Sequence, residues 1–210
     1  MNEKELYSIA REAVREEELT SGEIPNIDLY VDQIINLVAD KNSRSAQRYQ
    51  GKQLTKTMIN NYSKDGLITP VKGKKYNKEQ IIQMLSIYAL KNTLSIGEIK
   101  RLLDGEYAIE GYDGAALAKA YDRYIGIKRG NMDYSIEILS NLMEQNGFDI
   151  ENDRDFLCIV GSLLSLGNSL KNIAQELIDV RYPQVEEEPE KEKPKKEKKK
   201  KKSDEEEKSE

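Results

Sequence analysis

The stretch LTKTMINNYSKDGLITP, residues 54–70, predicts a short amphipathic helix followed by strong stop signals. Thr55 is a good N-cap residue, and Gly66 and Pro70 disfavour continuation of the helix. At about 100° per residue, the apolar side chains fall on one side: Leu54, Met58, Ile59 and Tyr62. The other side carries Gln53, Lys56, Thr57, Asn60 and Lys64. We therefore expect one face to be held by the core and a polar, acid-free face to meet solvent.

Charge is distributed unevenly along the chain, which has 210 residues and a net charge of −5. Residues 41–101 contain 13 basic and 3 acidic side chains, whereas 1–40 contain 3 and 10 and 102–180 contain 6 and 14. The basic segment includes the helix above and the lysine-rich turn that follows it, with Lys72, Lys74 and Lys75. Such segregation fits either a surface that faces a polyanion or an ordinary solvated face.

The side chains on the polar face are those that read DNA in other proteins. Asn60 can bond an adenine edge through two hydrogen bonds, Thr57 can meet a thymine methyl, and lysines can reach guanine or phosphate. We therefore predict that this helix enters the major groove and that the lysine turn binds backbone phosphate. The predicted DNA-binding residues are Lys56, Thr57, Asn60, Asn61, Lys64, Lys72, Lys74 and Lys75.

Residue types that most enzymes use are missing from the chain. It has no histidine and a single cysteine, Cys158, which its apolar neighbours lead us to expect in the core. The acidic run 149–155 lacks the glycine and glutamate spacing of a calcium loop, and no phosphate-binding loop is present. We therefore expect no enzymatic activity, no cofactor and no metal site.

Apolar periodicity predicts a mainly α protein, with one two-stranded ribbon around residues 67–77. Near the C-terminus, the apolar segments 156–166 and 170–180 are predicted as two helices that break at Gly167–Asn168. They could form a hairpin that pairs with a second copy, or they could pack inside one subunit. No uninterrupted apolar run approaches the ~20 residues of a transmembrane helix, and no signal peptide is evident. We therefore expect a cytoplasmic protein without membrane contact.

The run MINNYSKDGLITPVKGKKYNKEQI, residues 58–81, resembles the winged helix-turn-helix of MerR-type regulators. Those proteins show a helix ending in Tyr, three polar residues, Gly-Leu, Pro, a basic wing and a further Tyr. Tyr62, Gly66, Leu67, Pro70 and Tyr76 occupy these places. Together with IPNIDLYVDQI upstream and LSIGEIKRLL downstream, the pattern is similar to a bacterial family catalogued as domain of unknown function 1836.

The resemblance covers residues 24–104 and implies a MerR-like winged helix-turn-helix domain there. Apolar periodicity and composition predict that a helical C-terminal region and a disordered charged tail follow it, so the expected fold class is mainly α. The expected boundaries are an N-terminal helix at 1–23, the winged domain at 24–104, a helical dimerisation or partner-binding region at 105–182, and the tail at 183–210. The tail has almost no apolar residues to bury.

Two functions remain open on these observations. The first is a DNA-binding transcription regulator that binds double-stranded DNA as a homodimer. The second is a helical adaptor that keeps the winged core without DNA binding and meets a protein partner through 105–182. Asn60 and Asn61 stand where MerR-type proteins carry Arg-Tyr, and the net charge is negative, which favours the second reading.

Overall fold

The computed structural model describes residues 1–43, 45, 53–71 and 73–184. Within these ranges the chain forms seven α-helices and one ribbon of two short strands: α1 (Glu3–Val14), β1 (Leu29–Tyr30), α2 (Val31–Asn42), α3 (Lys56–Lys64), β2 (Lys75–Tyr76), α4 (Lys78–Leu90), α5 (Ile96–Tyr107), α6 (Gly114–Asn146) and α7 (Asp153–Arg181). The prediction of a mainly helical protein is confirmed. The predictions for Lys72 and for the charged tail from residue 185 onward concern positions outside the described residues.

Several helices begin where local capping chemistry predicts. Asn2, Asn77 and Ser95 each cap a helix, and each shares a reciprocal capping box with the Glu or Gln three residues later. Thr55 caps α3, because its hydroxyl accepts from the backbone N–H of Met58 at 3.2 Å. These starts are local features, so they could be read from the sequence.

The main core is built around α4, which is buried on nearly all sides. Ile81, Ile82, Met84 and Ile87 have no solvent exposure. The surrounding cluster runs from Leu19 to Ile125 and gains Ile178 from α7: Leu19, Ile24, Leu29, Ile34, Val38, Leu54, Ile59, Tyr62, Leu67, Ile68, Tyr76, Leu85, Leu94, Ile99, Leu103, Leu117 and Tyr121. A second, smaller cluster joins α1, α6 and α7 through Leu6, Leu139 and Ile159. This continuous core does not test the predicted domain boundaries, which stay predictions.

The expected ribbon at 67–77 is wrong in its pairing. Only Lys75 and Tyr76 form a strand there, and they pair antiparallel with Tyr30 and Leu29. The segment 67–70 does not pair as a strand because side chains of α4 bind its backbone. The ribbon therefore ties two segments that are far apart in sequence.

Both C-terminal helices continue through internal glycines, and α7 is longer than expected. α6 spans the glycines at 126 and 130 without a break and ends before Gly147, whose φ of 62° terminates it. α7 continues through Gly167–Asn168 and is capped by Asn152, whose side chain accepts from Arg154 N and Asp155 N. An internal glycine costs a helix only about 1 kcal/mol, so long helices tolerate it.

Cys158 is exposed, so the expectation that it lies in the core is wrong. The reason is that α7 buries only two of its side chains, Ile159 and Ile178. The alternative in which the two apolar segments pack inside one subunit is therefore wrong for most of α7.

By length and composition alone, α7 could also cross a membrane. One 18-residue window reaches a mean hydropathy of 1.3, and 6% of that window is buried. The expectation that no segment is long enough to cross a membrane considered only uninterrupted apolar runs. It does not hold when hydropathy is averaged over 18 residues. A single helix of this kind is weak evidence for a membrane segment.

Candidate nucleic-acid interface

α3 presents the two faces that its sequence predicts. Leu54, Ile59 and Tyr62 are buried, and Met58 is partly buried against the core. The side chains assigned to the outer face are all exposed: Lys56, Thr57, Asn60, Asn61 and Lys64. The core thus fixes which surface of α3 is free to meet a ligand, while the role of that surface stays a prediction.

The lysine turn after α3 is also on the surface. Gly73 has a φ of 81°, which glycine adopts at no steric cost, and the chain reverses there before β2. Lys74 and Lys75 are both exposed. The Lys75 ammonium lies 4.9 Å from the centre of the Tyr30 ring, so the ribbon gives this lysine a cation–π neighbour.

Two buried glutamines of α4 hold the strap that joins α3 to this turn, defined as residues 67–70. Gln83, with no solvent exposure, accepts from the Thr69 N–H at 3.0 Å and from its hydroxyl at 3.2 Å. Gln80 donates to the carbonyls of Thr69 at 3.2 Å and Pro70 at 3.0 Å. Leu67 and Ile68, the first two residues of the strap, are themselves buried. The strap is therefore bound to the core along its length.

Tyr107, at the end of α5, and Tyr112, in the turn before α6, complete this attachment. The Tyr107 hydroxyl donates to the Leu67 carbonyl at 3.3 Å, and the Tyr112 hydroxyl donates to Glu79 at 3.0 Å. Glu79 also accepts from Gln83 at 3.4 Å. Burial raises the pKa of Tyr112 to about 12 and raises that of Tyr107 as well, so both phenols remain protonated donors.

Sequence reasoning missed these glutamines, although they are the only polar side chains buried in α4. Their signal is two Gln three residues apart in the otherwise apolar run QIIQML, residues 80–85. Such a pair is buried only when it satisfies backbone groups that have no other partner.

Tertiary structure also brings two lysines to α3 that its own sequence does not contain. Lys91, at the end of α4, places its ammonium 3.8 Å from the Met58 sulfur. Lys100, from α5, lies beside Gly66, where a Cβ would sit 3.9 Å from its ammonium. Lys91 therefore contacts the partly buried side of α3, and Lys100 reaches the turn that follows it.

A cavity of about 550 Å³ lies elsewhere in the fold and is lined from α4, α6, α7 and the segment after α1. At its wall the Lys128 ammonium contacts Glu16 at 2.7 Å and Glu18 at 2.6 Å. Burial raises the pKa of Glu18 despite this lysine. Burial alone would lower the pKa of Lys128, but the hydrogen bonds with the two glutamates leave it raised.

The fold and this surface define a mainly helical protein that exposes an acid-free helix face beside a lysine turn. The family model described as Domain of unknown function (DUF1836) matches residues 19–124. The chain belongs to this family, and the predicted family resemblance is confirmed. No curated protein and no solved structure matches the chain.

Proposed function

We propose that this protein is a DNA-binding transcription regulator with a MerR-like winged helix-turn-helix. The observation that carries the proposal is the exposed face of α3, which offers two lysines, two asparagines and a threonine without an acid. A helix of nine residues with its apolar side in the core can place this face in a major groove.

The lysine turn supplies the phosphate contacts in this proposal. The strap bound by Gln80 and Gln83 supports it, because a fixed backbone holds α3 and Lys74 at a constant separation. The partner is double-stranded DNA, and the protein acts as a cytoplasmic homodimer without a cofactor, metal site, membrane contact or enzymatic activity. The region 105–182 provides the dimer contact or meets a protein partner.

The salt dependence of DNA affinity tests the proposal first. Five or six phosphate contacts give a slope of about −5 in a plot of log affinity against log salt. Binding to fragments selected from sheared genomic DNA is measured by fluorescence anisotropy at several salt concentrations. A flat dependence, or no binding to any fragment at low salt, rules the regulator out.

Two single variants then separate groove contacts from backbone contacts. Asn60→Ala should relax sequence preference by about 1–3 kcal/mol at one base pair. Lys74→Ala should weaken all sequences alike and reduce the salt slope by about 1. Asn141→Ala and Lys119→Ala, at exposed positions of α6, serve as controls that leave affinity unchanged. If the two test variants behave identically, α3 is not the groove helix.

The second candidate is the helical adaptor. Asn60 and Asn61 replace the Arg-Tyr pair of MerR-type proteins, and α7 exposes a long apolar surface. An adaptor should co-purify with a protein partner and should show no salt-dependent affinity for any DNA fragment. Retention of that partner by the Lys74→Ala variant distinguishes it from the regulator.

A further inference from the structure

The last helix of the described chain carries ten of the 19 exposed large apolar side chains among the described residues. α7 has 29 residues and is therefore about 43 Å long. Its exposed large apolar side chains are Phe156, Leu157, Val160, Leu163, Leu164, Leu166, Leu170, Ile173, Leu177 and Val180. A surface this extensive on a monomer marks an interaction site.

These side chains follow a heptad repeat. Phe156, Leu163, Leu170 and Leu177 fall at every seventh residue, which we name position a. Ile159, Leu166, Ile173 and Val180 follow each of them by three residues, at position d. Alternating spacings of three and four residues place all eight side chains on one stripe of the helix, as in a coiled coil. The stripe, defined as the six positions from Leu163 to Val180, is exposed throughout.

The rest of the subunit holds α7 by the side opposite the stripe. Ile178 is buried in the main core, Gln175 donates to Glu98 at 2.6 Å, and Asp179 pairs with Arg101 at 2.6 Å. At 100° per residue, Ile178, Asp179 and Gln175 lie about 110°, 150° and 170° from the middle of the stripe. These contacts therefore leave the six side chains of the stripe exposed.

The positions that flank the stripe permit close approach by another helix. Ser162, Gly167, Ser169 and Ala174 are small and uncharged, and the remaining two, Glu176 and Arg181, have opposite charges. In the second half of α7 the other faces are polar, with Asn168, Lys171, Asn172 and Gln175. A lipid-embedded helix is apolar all round, whereas one apolar stripe is typical of contact with another protein helix.

The amount of apolar surface suits a second copy of the same stripe. Exposure rises from 37% at Leu163 to 75% at Val180, which amounts to on the order of 500 Å² per copy. Two copies would bury on the order of 1,000 Å², as a specific interface requires. Side chains at a and d of one such stripe fill the spaces between those of an identical stripe, so the surface complements itself under two-fold symmetry.

We propose that α7 binds α7 of a second copy of this chain along the stripe from Leu163 to Val180. This names the contact surface of the homodimer in the proposed function. The pairing itself needs no DNA, so it stands or fails separately from DNA binding.

Two leucines of α7 provide a matched test. Leu177 belongs to the stripe and Leu164 lies about 150° away from its middle, yet each is 65% exposed. The full chain and its Leu177→Lys and Leu164→Lys variants are compared by sedimentation equilibrium without DNA. We expect twice the chain mass of 24.1 kDa for the unmodified protein. Leu177→Lys should raise the dimer dissociation constant more than about 10-fold, and Leu164→Lys should leave it nearly unchanged.

Three results would overturn the pairing. The first is that the unmodified protein is monomeric at every soluble concentration. The second is that the two variants weaken the dimer equally. The third is that the unmodified chain is recovered with membranes and that both variants are released from them. Circular dichroism checks that each variant keeps its helix content. The Lys74→Ala variant should sediment as a dimer, so loss of DNA binding in that variant is distinguishable from loss of pairing.

Discussion

Two buried tyrosines contrast in how their hydroxyl groups are satisfied. The Tyr121 hydroxyl donates to the Leu19 carbonyl at 2.8 Å and ties α6 to the segment after α1. The Tyr62 hydroxyl, at the end of α3, is buried without a hydrogen-bond partner among the described residues. Burial raises the pKa of Tyr62 to about 12. A buried hydroxyl without a partner loses its hydrogen bonds to water and gains none within the protein.

Removal of the two hydroxyls should therefore have different effects. Tyr62→Phe should be neutral or stabilise the protein by up to about 1 kcal/mol, because it removes an unsatisfied group. Tyr121→Phe should lower the free energy of unfolding by about 1 kcal/mol, because it leaves the Leu19 carbonyl unpaired. Urea unfolding of the two variants measures both changes, and an equal loss would contradict this account of α3.

At the scale of elements, the strap 67–70 decides where the lysine turn lies relative to α3. A strand pair would have used its backbone groups, but Gln80 and Gln83 bind Thr69 and Pro70 instead. The strap therefore belongs to the core, while the turn beyond it pairs with β1. A substitution at a buried position of α4 can therefore alter the proposed DNA surface, although the substituted residue is not part of that surface.

Gln83→Met tests this attachment with little change in volume. The Thr69 N–H loses its acceptor in a partly buried site, which should lower the free energy of unfolding by about 1–3 kcal/mol. Gln145→Met, at an exposed position of α6, is the matched control and should change it by less than about 0.5 kcal/mol. Chemical denaturation followed by circular dichroism compares them. Equal stabilities would show that the strap does not depend on Gln83.

At the scale of the whole molecule, a cluster of charges joins the N-terminal segment to α6. Lys128 contacts both Glu16 and Glu18, whose side chains are only 22% and 15% exposed. Removal of the lysine from such a group leaves the two carboxylates partly buried without their positively charged partner. The segment after α1 therefore depends on a residue more than a hundred positions further along the chain.

Lys128→Met should lower the free energy of unfolding by about 2 kcal/mol near neutral pH. Burial raises the pKa of Glu18 above its usual 4.5. Lys128 lowers this pKa, so its removal should raise the Glu18 pKa further in the folded variant, and the deficit should shrink as pH falls through that pKa. Urea unfolding from about pH 8 to about pH 4 measures this trend. Lys119→Met is the control, and a deficit that grows on acidification would contradict the assignment.

Local chemistry explains what could be predicted about this protein from its sequence. The faces of α3 follow from the spacing of Ile59 and Tyr62, because helical periodicity alone decides which side chains share a side. Capping boxes at Asn2, Asn77 and Ser95 mark helix starts for the same reason. The family resemblance likewise depends on spaced residues within one stretch of chain.

Features that depend on distant contacts could not be predicted in this way. The partner of β2 is β1: Tyr30 pairs with Lys75, 45 residues further along the chain, and Leu29 pairs with Tyr76, 47 residues further along. This pairing follows tertiary position rather than proximity in sequence. Lys91 and Lys100 reach α3 only through the packing of other helices.

The sequence by itself determined the helical class, the family and the two faces of α3, because these depend on periodicity, capping and local spacing. Only the tertiary structure decided the rest. At the strap, the side-chain amides of two buried glutamines, rather than a neighbouring strand, satisfy the backbone groups. α7 kept its heptad stripe exposed, and Cys158 with it, because the subunit holds that helix by Ile178 and its neighbours on the opposite side.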